Sequence, residues 1–391
     1  MKATFKFTVA AITLTTFTLL SFTLITPKKA IEERQKPAAA PKIQAAILLD
    51  VSNSMDGLIE QAKAQLWNMV SVMGKAKCAS DVTPQIEIAL YEYGRDTNPI
   101  KDGYVKQISG FTTDLDKLSQ ELFKLTTNGG DEYCGQVIFT SLNELKWDAG
   151  TANYKVIFIA GNEDFLQGNL PYTQACAEAR KKGVIVNTIY CGNKMDGIRE
   201  HWNLNAECGT GSFTNINQDA KIEDIPTPYD STLFVLNDKL NGTYISYGYL
   251  GGEKLMAQAS VDKQNYSMNK SAAVQRVTVK GKKNLYKNES WDLVDASNAE
   301  ATKDIVAKVD MKTLPDSLKN KSRAQLKQIV EVKATERSAV QKQIETVNNQ
   351  REAYLIAERK KNAGNKNTAT LQSEIEKIIT EQAKRYNMQI Q

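Results

Sequence analysis

Histidine is almost missing from this chain. The 391 residues contain one, His201, with no partner at ligand spacing, so a histidine-built zinc site is not expected. Cysteine is sparse too. The five, Cys78, Cys134, Cys176, Cys191 and Cys208, form no C-x-x-C pair, and they permit at most two internal disulfides with one thiol left over. There is no G-x-S-x-G elbow, and Ser52 and Ser54 have only His201 to draw on as an imidazole base, so a hydrolase is not expected and the chain reads as non-enzymatic. A strong excess of one charge is also lacking. The net charge is +5, and the positive balance sits in the last stretch, where residues 313–391 carry 15 Lys and Arg against 9 Asp and Glu. Those bases are mixed with acids and not interleaved with aromatics, which argues against a nucleic-acid surface.

What is present begins with an apolar N-terminus. Met1-Lys2 and Lys6 precede a run from Phe7 to Pro27 with no charged residue, then Lys28-Lys29-Ala30. Residues 1–30 read as a signal peptide or a signal anchor, since the uncharged length exceeds an ordinary signal core and would just span a bilayer. The body of the protein is then expected outside the cytoplasm, periplasmic or anchored in the cell envelope, with membrane contact only through this segment. Residues 31–41, with Lys36-Pro37-Ala38-Ala39-Ala40-Pro41, lack periodicity and read as a linker.

From residue 42 to about 225, strand-like and helix-like patterns alternate. A strand ending at Leu49 is followed by a helix carrying Leu58, Ile59, Ala62, Leu66, Met69, Val70 and Met73 on one face. Strands are expected at Gln85–Tyr93, Val105–Phe111, Lys155–Ala160, Gly183–Tyr190 and Ser212–Ile216. Helices are expected at Asp114–Leu125, Cys134–Trp147, Tyr172–Lys182 and near Gly197–Ala206. This order predicts an α/β fold, a doubly wound and mostly parallel sheet covered on both sides. Residues 226–312 read as mixed and mainly helical, with Trp291 as a core plug between helices. Residues 313–391 read as a helical hairpin. Its long helix starts at a capping box, Ser322-Arg323-Ala324-Gln325, and ends near Asn362. Val340, Ile344, Val347 and Tyr354 keep a heptad spacing that Arg337 and Arg351 interrupt, a broken coiled coil. A second helix carries Leu371, Ile375, Ile378, Ile379 and Ala383. The hairpin is expected to pack on itself, on the globular domain or on a partner, or to serve as a solvated spacer.

The chemistry concentrates at Asp50-Val51-Ser52-Asn53-Ser54, directly after the first strand. Three short oxygen side chains on alternate residues of a tight strand-to-helix loop can converge on one small, hard cation. In a doubly wound sheet, loops at the carboxyl ends of the strands face one crevice. Asn128-Gly129-Gly130-Asp131-Glu132 and Gly161-Asn162-Glu163-Asp164 are the two loops expected to join the first there. Asp131 or Glu132 could add a carboxylate, and Asp131 is the expected fourth ligand.

These residues resemble the von Willebrand factor type A family with its metal-ion-dependent adhesion site, over about Pro41 to Ile225. The resemblance implies a divalent cation, Mg2+ with Mn2+ or Ca2+ as alternatives, held by Asp50, Ser52 and Ser54. It also implies a protein partner at that edge. Two positions depart from the pattern: Asp131 stands where the family has Thr, and Ala160-Gly161-Asn162 stands where it has Thr-Asp-Gly. A directly bound carboxylate lowers the metal's net positive charge, so capture of a partner's acid is expected to be weaker. On this fold a Cys191–Cys208 bridge is disfavoured. A Cys134–Cys191 or Cys134–Cys176 bridge beside the metal loops stands against free buried thiols. The expected function is an exported binding protein using its cation for protein–protein interaction, with self-association or a second partner through the C-terminal helices. The alternative is an envelope scaffold acting through its helical tail with a degenerate metal site.

Overall fold

The structure is a computed structural model that describes residues 41–390 apart from 79–81, 209, 218, 220–223, 300–301, 303 and 363–370. The expected signal or anchor segment, and the linker up to residue 40, lie outside the described residues. Among those described, no helix is long and apolar enough to cross a membrane.

Strand β1 (Lys42–Asp50) is the centre of the fold. Its side chains alternate: Ile43, Ala45 and Leu49 enter one apolar cluster, while Ala46 and Leu48 enter the other. Helices cover both faces, so the run from Ala45 to Leu49 is apolar on both. Helix α1 (Asp56–Met73) follows and leads through β2 (Ala76–Lys77) to β3 (Gln85–Tyr93). Next come β4 (Lys106–Thr112), α2 (Leu115–Lys124), α3 (Cys134–Glu144) and β5 (Tyr154–Gly161). The series closes with α4 (Tyr172–Lys182), β6 (Ile185–Cys191), α5 (Lys194–Arg199), a 3-10 turn at Trp202–Cys208 and β7 (Phe213–Ile216). The six-stranded sheet runs β4-β3-β1-β5-β6-β7, parallel except for the β3–β4 pair. The chain builds outward on one side of β1, then crosses to start β5 on the other. The order therefore reverses beside β1, where a crevice opens at the carboxyl ends of the strands.

The helix expected over Gly197–Ala206 is split. His201 takes a left-handed φ of 63°, which ends α5 and starts the 3-10 turn. That turn carries Cys208 back against α4, where it forms a disulfide with Cys176. This pairing replaces the bridges expected through Cys134, which is buried with its thiol 3.8 Å from the Tyr93 hydroxyl. Cys191 is also a free, buried thiol.

Helices α6 (Asp230–Asn241), α7 (Gly251–Met268), α8 (Lys270–Lys280), α9 (Leu293–Asn298), α10 (Ile305–Lys308) and α11 (Asp316–Lys319) precede the 40-residue α12 (Arg323–Asn362). The capping box at its start is formed. The Gln325 amide donates to Ser322 Oγ at 3.2 Å and the Ser322 amide to Gln325 Oε1 at 2.9 Å. The two arginines that interrupt the heptad are buried. Arg337 donates to Asp292 at 2.5 Å and Asp295 at 2.6 Å while stacking over Tyr244, and Arg351 donates to Asp230 at 2.8 Å. They are the polar joints by which α12 packs on α6 and α9.

Helix α13 (Leu371–Ala383) returns to the sheet. It packs against α1, and Gln382 enters between strands, accepting from the Tyr154 hydroxyl at 2.9 Å and donating to Asn187 at 2.7 Å. The chain then pairs β8 (Gln389–Ile390) antiparallel with β2. Leu371, Ile375, Ile378, Ile379 and Met388 are buried in the same cluster as β1 and α1. At about 1.5–3 kcal/mol for each fully buried side chain, these five supply stabilisation comparable to a whole domain's net stability. Deleting residues 371–391 is therefore expected to abolish the cooperative thermal transition of the α/β unit. A truncated protein that melts within a few degrees of the full chain would contradict this assignment.

Candidate functional site

Asp50 ends β1 at the sheet's carboxyl edge and is fully buried. Its Oδ1 accepts the Ser52 amide at 2.7 Å, a local turn that fixes the loop. Its Oδ2 completes no hydrogen bond of ordinary geometry, and the Asn162 backbone amide also acts on this carboxylate to lower its value. The serines follow on alternate residues, with Ser52 Oγ 3.4 Å from Ser54 Oγ and Ser54 Oγ 3.2 Å from the Asn162 side-chain amide. The three expected ligands of the first loop are thus together.

The second loop is drawn tightly over this edge. The Asn128 amide donates to the Val51 carbonyl at 2.8 Å, and Gly129 accepts the Asp96 amide at 2.7 Å. Gly130 lies so close that a Cβ there would sit 2.6 Å from the Gly94 carbonyl oxygen, so no side chain fits. This close approach turns Glu132 inward and Asp131 outward. Asp131 is exposed and accepts from the Tyr133 hydroxyl at 3.2 Å, whereas Glu132 is buried. A Cβ on Gly94 would lie 3.0 Å from both Asp50 Oδ1 and Glu132 Cγ, which places the two acids on either side of one glycine. Of the four residues expected as ligands, Asp50, Ser52 and Ser54 converge and Asp131 does not. Glu132 is the acid of that loop that lies near Asp50, a residue the same loop offered in sequence but that only the backbone path selects.

The third loop contributes no carboxylate at the strand end. A Cβ on Gly161 would lie 2.5 Å from the Tyr93 hydroxyl and 3.0 Å from Asp50 Oδ2. The Tyr93 ring, anchored by a 3.0 Å bond to the Ala160 carbonyl, fills the space that a side chain at 161 would need. Glu163 is exposed, and Asp164 pairs with His201 Nδ1 at 2.9 Å.

The electrostatics are those of two carboxylates held together. Burial pushes Asp50 up to about 6, an effect that the Ser52 amide and hydroxyl partly offset. Burial, then the neighbouring Asp50 and Glu163, push Glu132 up to about 8. A buried carboxylate with a second acid beside it is a set of donors that could hold a cation. Among the described residues no three His, Cys, Asp or Glu side chains stand in metal-binding geometry, so a cation here would take two carboxylates and serine hydroxyls. All are hard oxygen donors of the kind that suit Mg2+, Mn2+ or Ca2+.

No protein-family model matches the chain, and no curated protein matches it. Among solved structures it is similar to proximal thread matrix protein 1 from the mussel byssus, at 16% identity and a TM-score of 0.32 over 46% of this chain and 43% of that one. The chain thus spans less than half of the mussel protein's length. It is similar also to the SpRpn10 VWA domain, at 15% identity and a TM-score of 0.34 over 46% of this chain and 90% of that one. An aerotolerance-related membrane protein from Bacteroides fragilis aligns at 14% identity and a TM-score of 0.31, over 45% of this chain and 93% of that one.

Both acids have folded-state values raised above the ordinary 3.8 and 4.5. Their neutral forms therefore favour the fold, and that contribution is complete below pH 4 and lost as pH rises through about 6 and then about 8. In EDTA the melting temperature is expected to fall between pH 5 and pH 8, and Glu132→Gln is expected to flatten the upper part of that fall. Equal slopes for the two proteins would show that Glu132 is not raised by its surroundings.

Proposed function

We propose that this protein is an exported, non-enzymatic interaction module of the von Willebrand factor type A kind. It holds one divalent cation through Asp50, Ser52, Ser54 and Glu132 and engages a protein partner at that edge. The observation that carries the reading is the fully buried Asp50 carboxylate, with Glu132 near its Oδ1 at Gly94 and no standard hydrogen bond at its Oδ2. A divalent ion offsets the repulsion of the two acids and supplies the missing partner for that oxygen. Glu132 replaces Asp131 in the ligand set because Asp131 points to solvent.

Export is supported by the uncharged N-terminal run and by the Cys176–Cys208 disulfide, a bond that persists in oxidising compartments. The non-enzymatic reading rests on the site's chemistry. The sequence has no G-x-S-x-G elbow, and its single imidazole is bonded through Nδ1 to Asp164 of the third loop.

Adding Mg2+ at about a hundred times its dissociation constant is expected to stabilise the full chain by about 2.7 kcal/mol, read as a rise of several degrees in melting temperature. Asp50→Ala should remove that response and Glu132→Gln should weaken Mg2+ binding at least tenfold. A wild-type melting temperature indifferent to Mg2+, Mn2+ and Ca2+ would overturn the metal site and favour a scaffold that acts through its helices.

A further inference from the structure

We infer that a polar cavity near the C-terminal end of α1 is a binding site for a small hydroxyl-bearing anion, a sugar phosphate or a sugar acid. The cavity has a volume of about 160 Å³ and is walled by α1, α8, α12 and α13. That is room for roughly ten water-sized groups, which fits a phosphate or carboxylate on a short polyol. It lies apart from the metal edge and does not depend on the cation there. Ser71, on its wall, stands about 22 Å along α1 from Asp56 at 1.5 Å per residue.

What distinguishes this cavity is hydrogen-bonding capacity that the protein itself does not use. Ser71 is 4% exposed and Arg351 1%. Arg351 donates through Nε to Asp230 at 2.8 Å and through Nη1 to Glu352 at 3.4 Å, and its Nη2 has no partner among the described residues. The Ser71 hydroxyl, the Gln275 side-chain amide, the Asn348 Nδ2 and the Thr380 hydroxyl, one from each walling helix, are also without a partner there. Polar groups taken from bulk water and left unbonded are costly. Four helices that bring such groups to one space are fitted to an occupant that bonds them.

The charges decide the sign of that occupant. Lys75, Arg351 and Arg359 line the cavity against Glu352 and Glu376. Both acids are engaged, Glu352 by Arg351, and Glu376 by Asn68 at 2.9 Å and Gln372 at 3.1 Å. Lys75 makes no ion pair or side-chain hydrogen bond among the described residues. Next to it, burial and then the Lys75 charge hold Lys282 below its ordinary value; Lys77 adds to this, and Glu345 and Glu352 oppose it. With Asp230 counted behind Arg351, the bases still outnumber the acids, and the charge left unpaired at the wall is that of Lys75. A buried guanidinium with a free nitrogen and an unpaired ammonium on one wall form a donor pair for a phosphate or carboxylate. The neutral amides and hydroxyls suit the hydroxyls of its body. Water alone would satisfy the neutral groups but leave Lys75 without a counter-charge.

The test is isothermal titration calorimetry of the full chain with four probes: glucose 6-phosphate, gluconate, glucose and inorganic phosphate. Glucose 6-phosphate or gluconate is expected to bind at least tenfold tighter than glucose, and the tighter of the two identifies the head group as phosphate or carboxylate. Lys75→Met is expected to lower that affinity at least tenfold, Gln275→Leu severalfold, and Lys75→Arg to retain most of it. Without a probe, all three variants are expected to melt within a few degrees of the wild type. Glucose binding as tightly as both anions, or inorganic phosphate as tightly as glucose 6-phosphate, would overturn the inference. So would binding of no probe, or an affinity unchanged in both Lys75→Met and Gln275→Leu.

Discussion

One carboxylate governs the arrangement of this protein's upper edge. Asp50 is placed where the strand order reverses, fully buried, with one oxygen fixed by its own loop and the other completing no hydrogen bond of ordinary geometry. Leaving a buried charged oxygen unsatisfied is costly, and the neighbouring loops close around this carboxylate. Gly161 gives up its side chain so that Tyr93 can lie alongside, and Gly130 gives up its own so that the second loop can descend and turn Glu132 inward. The combination makes sense physically if a cation completes it; without one, Glu132 is held mostly neutral at pH 7.

The helical half of the chain is tied to this edge through a shared core. Val340 and Ile344 of α12 and the apolar face of α13 belong to the same buried cluster as β1 and α1. The sheet's outer face is closed by residues at the far end of the sequence, after some 150 residues of intervening helices. Arginine does the joining. Arg276 of α8 stacks on Trp67 of α1 and bonds both Asp116 of α2 and Asp262 of α7. Removing one side of such a buried pair strands the other charge, which costs far more than the pair itself contributes. These joints thus specify the packing of the helices more than they add stability.

The central strands, Tyr172–Lys182 and the capped start of α12 were legible because each rests on a local signal: a run apolar on both faces, a helical period, or a capping box. The parallel sheet followed from their alternation. What the sequence hid were choices made by tertiary contact. Asp131 and Glu132 are adjacent acids of equal chemistry, and only the close approach of Gly130 to the Gly94 carbonyl decides which one faces Asp50. The Cys176–Cys208 bond depends on a reversal at His201, a residue that rarely takes positive φ. Arg337 and Arg351 looked like flaws in a coiled coil because their partners, Asp292, Asp295 and Asp230, lie roughly 40 to 120 residues away.

The most direct test of the central claim is a Mn2+ titration of the full chain followed by electron paramagnetic resonance, in which bound and free ion are read separately. One bound Mn2+ per chain is expected, displaced by Mg2+ and lost in Asp50→Ala. A wild-type protein that leaves all of the Mn2+ free, or an Asp50→Ala protein that binds it equally well, would contradict it.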